Sequence, residues 1–343
     1  MDNKKNILNY SYSQLEDVVR ELGEKPFRAG QLYEWMHKKL VTDFSDMTNI
    51  SKSLREKLAG EYYIGALHML KCQKSKIDGT SKYLWELADK NTIESVWMQY
   101  KHGNSVCISS QVGCRMGCKF CASTVGGLIR NLTPAEMLAQ IYEIQRMTEE
   151  RVSNIIVMGM GEPFDNYDNL IEFIHRITEE RGLHISARNI TVSTCGLVPK
   201  IYEFADENLA VTLAVSLHAP DDDIRKQMMP IAGSYSMEEI LKACRYFIEK
   251  TGRRVTFEYS MVEGVNDKKE HAHALCKRLY GLNCHVNLIP LNPVEGRLGN
   301  RSKRMNVEDF KLILEKNRIN VTIRREMGSD IDAACGQLRR NNT

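Results

Sequence analysis

Three closely spaced cysteines constrain this chain more than any other feature of its sequence. Cys114, Cys118 and Cys121 follow a C-x₃-C-x₂-C spacing in a short segment that also contains Phe120. Three thiolates on one tight loop can bind three irons of a cubic iron–sulfur cluster, because soft sulfur ligands favour such clusters. The fourth iron then lacks a protein ligand and is open to a small molecule.

A zinc loop is the alternative interpretation of the same cysteines. Structural zinc sites need four ligands and usually combine one C-x₂-C pair with a second pair elsewhere in the chain. The chain contains no second C-x₂-C pair. The ligand count therefore favours the iron–sulfur cluster.

Composition limits the classes of protein to which the chain can belong. Ten cysteines behind a polar start without an apolar signal segment indicate a reducing cytoplasm and metal or redox chemistry. No apolar run approaches the length of about 18 residues that spans a bilayer, so we expect no membrane association. The net charge of +3 predicts no global basic field, and an RNA site must then be a local patch.

Hydrophobic periodicity divides the chain into three predicted parts. Residues 1–62 are predicted to form a helical accessory module, with apolar residues at helical spacing in 12–22 and 27–37. Residues 63–99 alternate between apolar and polar types, which predicts a β extension, and Asp78-Gly79 is a hairpin signal that we expect between strands 82–87 and 92–100. Residues 100–343 form the predicted core.

The helical module is a candidate RNA-docking element because basic residues are scattered through it. These residues are Lys25, Arg28, Lys38, Lys39, Lys52, Arg55 and Lys57.

The core alternates strand-like and helical runs, which predicts an α/β fold with a parallel sheet, closed or partly closed. The predicted strands are 106–109, 154–158, 189–193, 210–216, 254–260 and 285–289. The predicted helices are 134–144, 170–181, 237–251, 268–279 and 307–317. Loops after the carboxyl ends of such strands carry the chemistry, and the cysteine loop follows the first strand.

Polar residues follow four later strands at the same predicted edge of the sheet. A Gly159-Met-Gly-Glu-Pro163 turn follows the second strand, and its Glu162 can accept hydrogen bonds from a cation. The others are Ser193, Ser216, His218 and Asn292. No GxxxxGK[ST] motif occurs, which argues against nucleotide hydrolysis.

Several segments taken together resemble the RlmN family of radical S-adenosylmethionine (SAM) adenine C2-methyltransferases. The segments are Ile93-Glu-Ser-Val96, Val106 to Cys114, Met158 to Pro163, Leu288 to Pro293 and the tail from Gly328 to Leu338. The resemblance covers essentially the whole chain. It implies a partial (βα)₆ radical SAM barrel with a small helical domain and a short β extension, holding a 4Fe–4S cluster and SAM.

The resemblance also assigns roles to individual residues. It implies that Cys114, Cys118 and Cys121 bind the cluster. It implies that SAM is bound by Gly161, Glu162, Ser193, Ser216, Leu217, His218 and Asn292. Cys335 matches a cysteine that takes a methyl group from one SAM, and a second SAM, cleaved at the cluster, gives the radical that activates this methyl for addition to adenine C2. Glu94 matches the residue that takes the C2 proton, and Cys107 matches a partner that forms a transient disulfide with Cys335.

The implied partners are 23S rRNA, tRNA with its adenine 3′ of the anticodon, and an electron donor such as flavodoxin or ferredoxin. We expect a monomer. Two alternatives remain open: a Cfr-like adenine C8-methyltransferase that confers antibiotic resistance, and a non-catalytic zinc-containing RNA-binding module. The run Glu162-Pro-Phe-Asp-Asn166 and Pro290 favour C2 over C8, and a zinc module leaves Glu94, Cys107 and Cys335 without a purpose.

A basic segment and the remaining cysteines complete the sequence predictions. Residues 296–304 contain Arg297, Arg301, Lys303 and Arg304 without an acidic residue, and we expect this loop to contact RNA phosphates beside the site. The cysteines expected in the core are Cys72, Cys195, Cys244, Cys276 and Cys284.

Overall fold

The structure, a computed structural model, describes residues 4–101 and 103–338. Its α-helices are α1 (Tyr12–Glu21), α2 (Phe27–His37), α3 (Lys52–Glu61), α4 (Pro134–Thr148), α5 (Tyr167–Thr178), α6 (Val198–Asp206), α7 (Asp222–Met228), α8 (Met237–Thr251), α9 (Lys269–Leu279) and α10 (Arg304–Lys316). Its first strands are β1 (Lys5–Asn6), β2 (Tyr62–Tyr63), β3 (His68–Lys74), β4 (Ser81–Glu86), β5 (Thr92–Tyr100), β6 (Gly103–Cys107) and β7 (Gln111–Gly113). The later strands are β8 (Leu128–Asn131), β9 (Val152–Val157), β10 (Ile190–Thr194), β11 (Thr212–Ser216), β12 (Val255–Met261), β13 (Cys284–Pro290) and β14 (Asn320–Ile323).

The amino-terminal residues form a helical module with its own apolar core. Ser11 and Gln14 form a capping box at the start of α1, and Gly23 follows the helix at a φ of 77°. Strands β1 and β2 pair in parallel and tie the two ends of the module together. Some of its basic residues serve the module itself, since Lys57 donates to the Leu22 carbonyl at 3.1 Å.

Buried polar contacts join this module to the core. Arg176 on α5 donates to the carbonyl oxygens of Leu8 at 2.5 Å and Asn9 at 2.7 Å. The Nδ1 atom of His37 lies 2.7 Å from the Tyr142 hydroxyl of α4. Burial, with the Arg176 charge, lowers the pKa of His37 to about 3, so this ring is neutral at the joint.

A single ten-stranded sheet forms the core, in the order β14-β13-β12-β11-β10-β9-β6-β5-β4-β3. Strands β6 and β9–β14 are parallel, while β3–β5 continue the sheet in antiparallel pairing. The six predicted parallel strands are present, and β12, which is fully buried, is rich in the β-branched and aromatic residues that favour strands. The short β14 was missed, since it has four residues and alternating exposure.

The antiparallel edge of the sheet differs from the prediction in two respects. Asp78-Gly79 lies between β3 and β4, so the expectation that it joins β4 to β5 was wrong. The expectation that Cys72 is buried was also wrong, because it lies on the exposed edge strand β3. The other four cysteines predicted in the core are buried. Among the described residues, no helix has the length and apolar character needed to cross a bilayer.

Candidate active site

A cavity at the carboxyl-terminal edge of the parallel strands gathers most of the predicted site residues. Its walls include Cys114, Cys118, Cys121, Gly161, Glu162, Ser193, Ser216, His218, Asn292 and Cys335. They converge because the carboxyl ends of parallel strands meet at one edge of a sheet. Leu217 does not line the cavity: it is fully buried in the core, and its amide donates to the Glu258 carbonyl at 3.1 Å.

The cysteine loop is held in shape by contacts within itself and with the β7–β8 hairpin. The Cys114 amide donates to the Gly127 carbonyl at 3.1 Å, and Thr124 Oγ1 donates to the carbonyls of Cys118 at 3.2 Å and Cys121 at 3.0 Å. Burial raises the pKa of Cys114 to about 12 and also raises the pKa values of Cys118 and Cys121. Such buried thiols become thiolates when they bind a metal centre, which supplies the compensating charge.

Cys114, Cys118 and Cys121 line one cavity, as three ligands of one cubic cluster must. Within residues 4–101 and 103–338, no three His, Cys, Asp or Glu side chains are gathered closely enough to hold one metal ion. The cysteines of a cubic cluster each bind a different iron, so they need not meet at one point.

Glu162 is fixed in the wall of the cavity by the turn after β9. Its amide donates to Gln111 Oε1 at 2.8 Å, while its own carboxylate accepts from the amides of Phe164 at 3.1 Å and Cys195 at 2.7 Å. Gly161 has a φ of 105°, and a Cβ there would lie 2.6 Å from Gln111 Cβ, so the turn requires glycine. Burial raises the pKa of Glu162 while the backbone hydrogen bonds oppose this shift. A bound ammonium group would favour the carboxylate, whose oxygens can accept further hydrogen bonds.

His218 is held rigidly as a neutral ring. Its backbone has a φ of 56°, and its Nδ1 accepts a hydrogen bond from the Ser260 amide at 2.9 Å. Burial, with the Arg225 charge, lowers its pKa to about 3, so the ring carries its single proton on Nε2. The Phe120 ring packs edge-on against it at 5.0 Å between centroids. A strained residue fixed this tightly is typical of a binding site.

The carboxyl-terminal tail closes the cavity with Cys335. The Ala122 amide donates to the Gly336 carbonyl at 2.8 Å, and Ser123 Oγ donates to the Leu338 carbonyl at 2.6 Å. Asn292 Nδ2 donates to the Cys335 carbonyl at 3.4 Å. The buried Asn292 Oδ1 has no hydrogen-bond partner among the described residues, which leaves it available to a donor on a ligand.

A second cavity shares Cys335 and Asn292 with the first. Cys107, Tyr100 and Arg324 also line it. Burial raises the pKa of Cys107 to about 12, and the nearby Cys335 adds to this shift. All ten cysteines are free thiols in the structure. Two thiols far apart in sequence therefore share one cavity beside the cysteine loop.

Sequence reasoning missed an ion pair between the two cavities, formed by the buried Glu258 and the partly exposed Arg324. Glu258 on β12 lines the first cavity and lies 3.7 Å from Arg324 Nη1, with Asn287 Nδ2 donating to it at 2.9 Å. Burial raises the pKa of Glu258, and Arg324 opposes the shift. A carboxylate in the middle of the predicted core strand 254–260 was the signal that could have identified it.

Glu94 lines neither cavity directly. Its side chain on β5 is buried and its Oε1 lies 3.3 Å from Lys82 Nζ. Lys82 in turn donates to the Asp332 carbonyl in the tail at 3.2 Å. Glu94 is therefore connected to the Cys335 segment through a lysine that sequence reasoning did not single out.

Comparison with known proteins decides the family. Residues 5–64 match the ribosomal RNA large subunit methyltransferase N-terminal domain, and residues 108–276 match the radical SAM superfamily. A probable dual-specificity RNA methyltransferase RlmN from Lachnoclostridium phytofermentans is 60% identical over 330 residues, covering 96% of this chain and 93% of that protein. This chain belongs to the RlmN family.

Further members and a solved structure agree with this assignment. The probable RlmN of Clostridium novyi is 55% identical and covers 98% of this chain and 98% of that protein. The crystal structure of a radical SAM methyltransferase from Sphaerobacter thermophilus is 42% identical, with a TM-score of 0.93 over 97% of this chain and 98% of that chain.

Membership of the RlmN family confirms the predicted fold class and cofactors. The protein is a radical SAM methyltransferase that uses a 4Fe–4S cluster and SAM. The alternative of a non-catalytic zinc-containing RNA-binding module is therefore wrong.

Proposed function

We propose that this RlmN-family enzyme methylates C2 of a specific adenine in 23S rRNA and C2 of the adenine 3′ of the anticodon in tRNA. The observation that carries the proposal is the position of Cys335, which lines both the cavity of the cysteine loop and the cavity of Cys107. The relatives' description as dual-specificity RNA methyltransferases supports two classes of RNA substrate.

The first cavity supplies the ligands for both cofactors in this proposal. Cys114, Cys118 and Cys121 each bind one iron of the cluster. SAM is bound by Gly161, Glu162, Ser193, Ser216, His218 and Asn292, which all line this cavity, whereas Leu217 does not line it. Two groups support this assignment. The Glu162 carboxylate can accept hydrogen bonds from the SAM ammonium, and the buried Asn292 Oδ1 has no hydrogen-bond partner among the described residues and can accept from SAM. When bound, the cluster and SAM supply the radical that activates a methyl group on Cys335.

Adenine C2 explains why the enzyme needs a methyl-cysteine. It is an aromatic C–H carbon without nucleophilic character, so it cannot attack a SAM methyl group directly. Cys335 takes the methyl from one SAM and presents it as the carbon that adds to C2, so two SAM molecules are used per turnover. Glu94 then accepts the C2 proton. Cys107 attacks the Cys335 sulfur, the bond between this sulfur and the methylene carbon breaks, and that carbon takes the electron pair and a proton to become the methyl group, which leaves Cys107 and Cys335 as a transient disulfide.

The second cavity suits an unstacked base. Tyr100 and Arg324 offer an aromatic ring and a planar guanidinium beside the two thiols. An adenine must leave its stack before C2 can be reached, which is easiest in single-stranded or loop RNA. The Cfr-like alternative would present C8 instead, and the relatives' RlmN name supports C2.

The remaining parts of the proposal concern partners and organisation. A small electron carrier such as flavodoxin or ferredoxin reduces the cluster, and the enzyme acts as a cytoplasmic monomer. Residues 1–62 dock the RNA, residues 63–99 extend the sheet, and residues 100–343 hold the radical SAM core with its catalytic tail.

Nucleoside mass spectrometry of rRNA and tRNA tests the proposal directly. Cells lacking the gene should lose 2-methyladenosine from both RNAs. The wild-type gene and a Cys72→Ser control should restore it, because Cys72 is exposed on the far edge strand, whereas Cys335→Ala should not. Appearance of 8-methyladenosine would establish the Cfr-like reaction, and unchanged nucleosides in both RNAs would overturn the proposal.

A further inference from the structure

Lys82 occupies an unusual position for a lysine, buried inside the sheet. Its side chain is 8% exposed and that of Glu94 is 2% exposed, and Nζ lies 3.3 Å from Glu94 Oε1. The same ammonium donates to the Asp332 carbonyl at 3.2 Å. Lysine is almost never buried this deeply unless it is paired, because an isolated buried charge is strongly unfavourable.

Strand register places Lys82 beside the reacting groups. Lys82 is directly opposite Val96 on β5, and Val96 is directly opposite Cys107 on β6. Directly opposite residues point to the same face of the sheet. Glu94 is two residues from Val96 and therefore shares that face. Lys82, Glu94 and Cys107 thus lie on one face of the sheet.

The tail is attached to the β3–β4 hairpin at two further points before Cys335. Asp78 Oδ2 accepts from the Gly328 amide at 2.9 Å, and Asp330 Oδ2 accepts from the Lys76 amide at 2.9 Å. Gly328 has a φ of 62°, and a Cβ there would lie 3.0 Å from Thr80 Cγ2. Of the three contacts between the tail and this hairpin, the Lys82–Asp332 contact is the nearest to Cys335 along the chain.

We propose that Lys82 is a positioning residue that keeps Glu94 ionised and fixes it relative to the Cys335 segment. This inference rests on the proposed function, in which the C2–H bond breaks, the proton moves to a Glu94 oxygen and the electron pair stays on the substrate. A carboxylate can accept that proton only when it is ionised and when it is correctly placed relative to the adenine that is attached to Cys335. One ammonium that contacts both Glu94 and the tail satisfies both conditions.

The test separates proton removal from the earlier radical step. Lys82→Met should lower formation of methylated RNA by about tenfold or more, a fraction of what a general base contributes. Formation of 5′-deoxyadenosine should continue, because it requires the cluster, SAM and the methyl group on Cys335, and it precedes removal of the C2 proton. RNA deuterated at adenine C2 should then react more slowly than normal RNA, because proton removal has become rate-limiting.

Matched variants distinguish positioning from folding. Lys82→Arg keeps the charge and should restore most of the product, while the control Lys71→Met removes an exposed lysine from neighbouring β3 and should leave turnover unchanged. In the double variant Lys82→Met/Glu94→Gln no charge of this pair remains buried. Its product yield should equal that of Glu94→Gln alone, since coupled residues do not add.

The outcomes separate this inference from the proposed function. Normal product from Lys82→Met, no isotope effect, or no advantage of Arg over Met would overturn the role of Lys82 and leave the proposed function standing. Normal turnover by Glu94→Gln would instead overturn the assignment of Glu94 as the base. If Lys82→Met loses its cluster, the double variant Lys82→Met/Glu94→Gln tests the inference instead. A product yield tenfold lower than that of Glu94→Gln alone would then overturn it.

Discussion

At the scale of single residues, the cysteine loop makes the sharpest prediction. Replacing any one of Cys114, Cys118 and Cys121 with Ala should abolish the cluster, because two protein thiolates cannot hold it in place of three. Anaerobic reconstitution followed by iron analysis, visible absorbance and reductive SAM cleavage measures the loss. Cys195→Ala is the matched control, since Cys195 is buried in the same cavity wall outside the motif. An Ala variant of the motif that still cleaves SAM would contradict the ligand assignment.

Removal of each of the two thiols of the second cavity should stop methylation at a different step. Cys335→Ala has no methyl carrier, so it should form neither methyl-cysteine nor product. Cys107→Ala can still attach the base to Cys335 but cannot release it, so an RNA–protein crosslink should accumulate and be visible on a denaturing gel and by peptide mass spectrometry. Normal turnover by Cys107→Ala, or the same crosslink in Cys335→Ala, would reverse the assignment.

At the scale of elements, the contact between α2 and α4 makes stability depend on pH. The pKa of His37 is lowered by burial from 6.5 to about 3. Between these two pH values the unfolded chain therefore binds a proton at His37, whereas the folded chain does not. The free energy of unfolding therefore has its full contribution from His37 above pH 6.5. This contribution falls as the pH falls, by about 2 kcal/mol at pH 5.

Thermal unfolding at pH 7.5 and pH 5 measures this contribution. His37→Gln should reduce the acid destabilisation, because Gln can still form a hydrogen bond with Tyr142 in either direction and does not titrate. The exposed His273→Gln should behave as wild type. An equal acid shift in His37→Gln and wild type would show that His37 does not govern this dependence.

The basic loop 296–304 carries a second prediction at this scale. Arg301 lies 2.7 Å from Glu326 and Lys303 lies 3.5 Å from Glu263, so two of its charges are already paired. Changing Arg301, Lys303 and Arg304 to Ala should weaken RNA binding and flatten its salt dependence, with a slope smaller by about 0.7 for each phosphate that the loop no longer binds. SAM cleavage should be unaffected. An unchanged affinity and slope from fluorescence titration over a salt series would place RNA recognition elsewhere.

At the scale of the whole molecule, RNA docking and radical chemistry are assigned to different parts of the chain. Lys25, Lys38 and Lys52 are exposed on the helical module, away from both cavities. Changing them to Gln should raise the Kd for RNA and reduce its salt dependence, because each phosphate contact releases counterions. Cleavage of SAM without RNA should remain normal.

A charge-matched control keeps this prediction specific. Lys242, Lys250 and Lys316 are exposed on core helices α8 and α10, and their change to Gln removes the same charge. This control should leave RNA affinity almost unchanged. Equal weakening by both triple variants would mean that net charge, rather than the module, governs binding.

The sequence by itself determined the features that short segments encode. The cluster motif lies within one loop, and its spacing alone selects the cofactor class. The parallel strands β10 and β12 were recognisable because they are short runs rich in β-branched and aromatic residues, and the start of α4 was recognisable from its capping box at Thr133 and Glu136. The edge strand β3 lacks a buried pattern because nearly all of its residues are exposed.

Only the tertiary structure decided which distant residues meet. The Asp78–Gly328 and Lys82–Asp332 contacts each join residues 250 positions apart, and the Glu258–Arg324 pair joins β12 to the end of β14. No local pattern encodes such contacts, because they depend on strand order and register across the whole sheet. The cysteine loop therefore revealed the cofactor class, whereas the attachment of the Cys335 tail to Lys82 and the hairpin became visible only once the sheet was assembled.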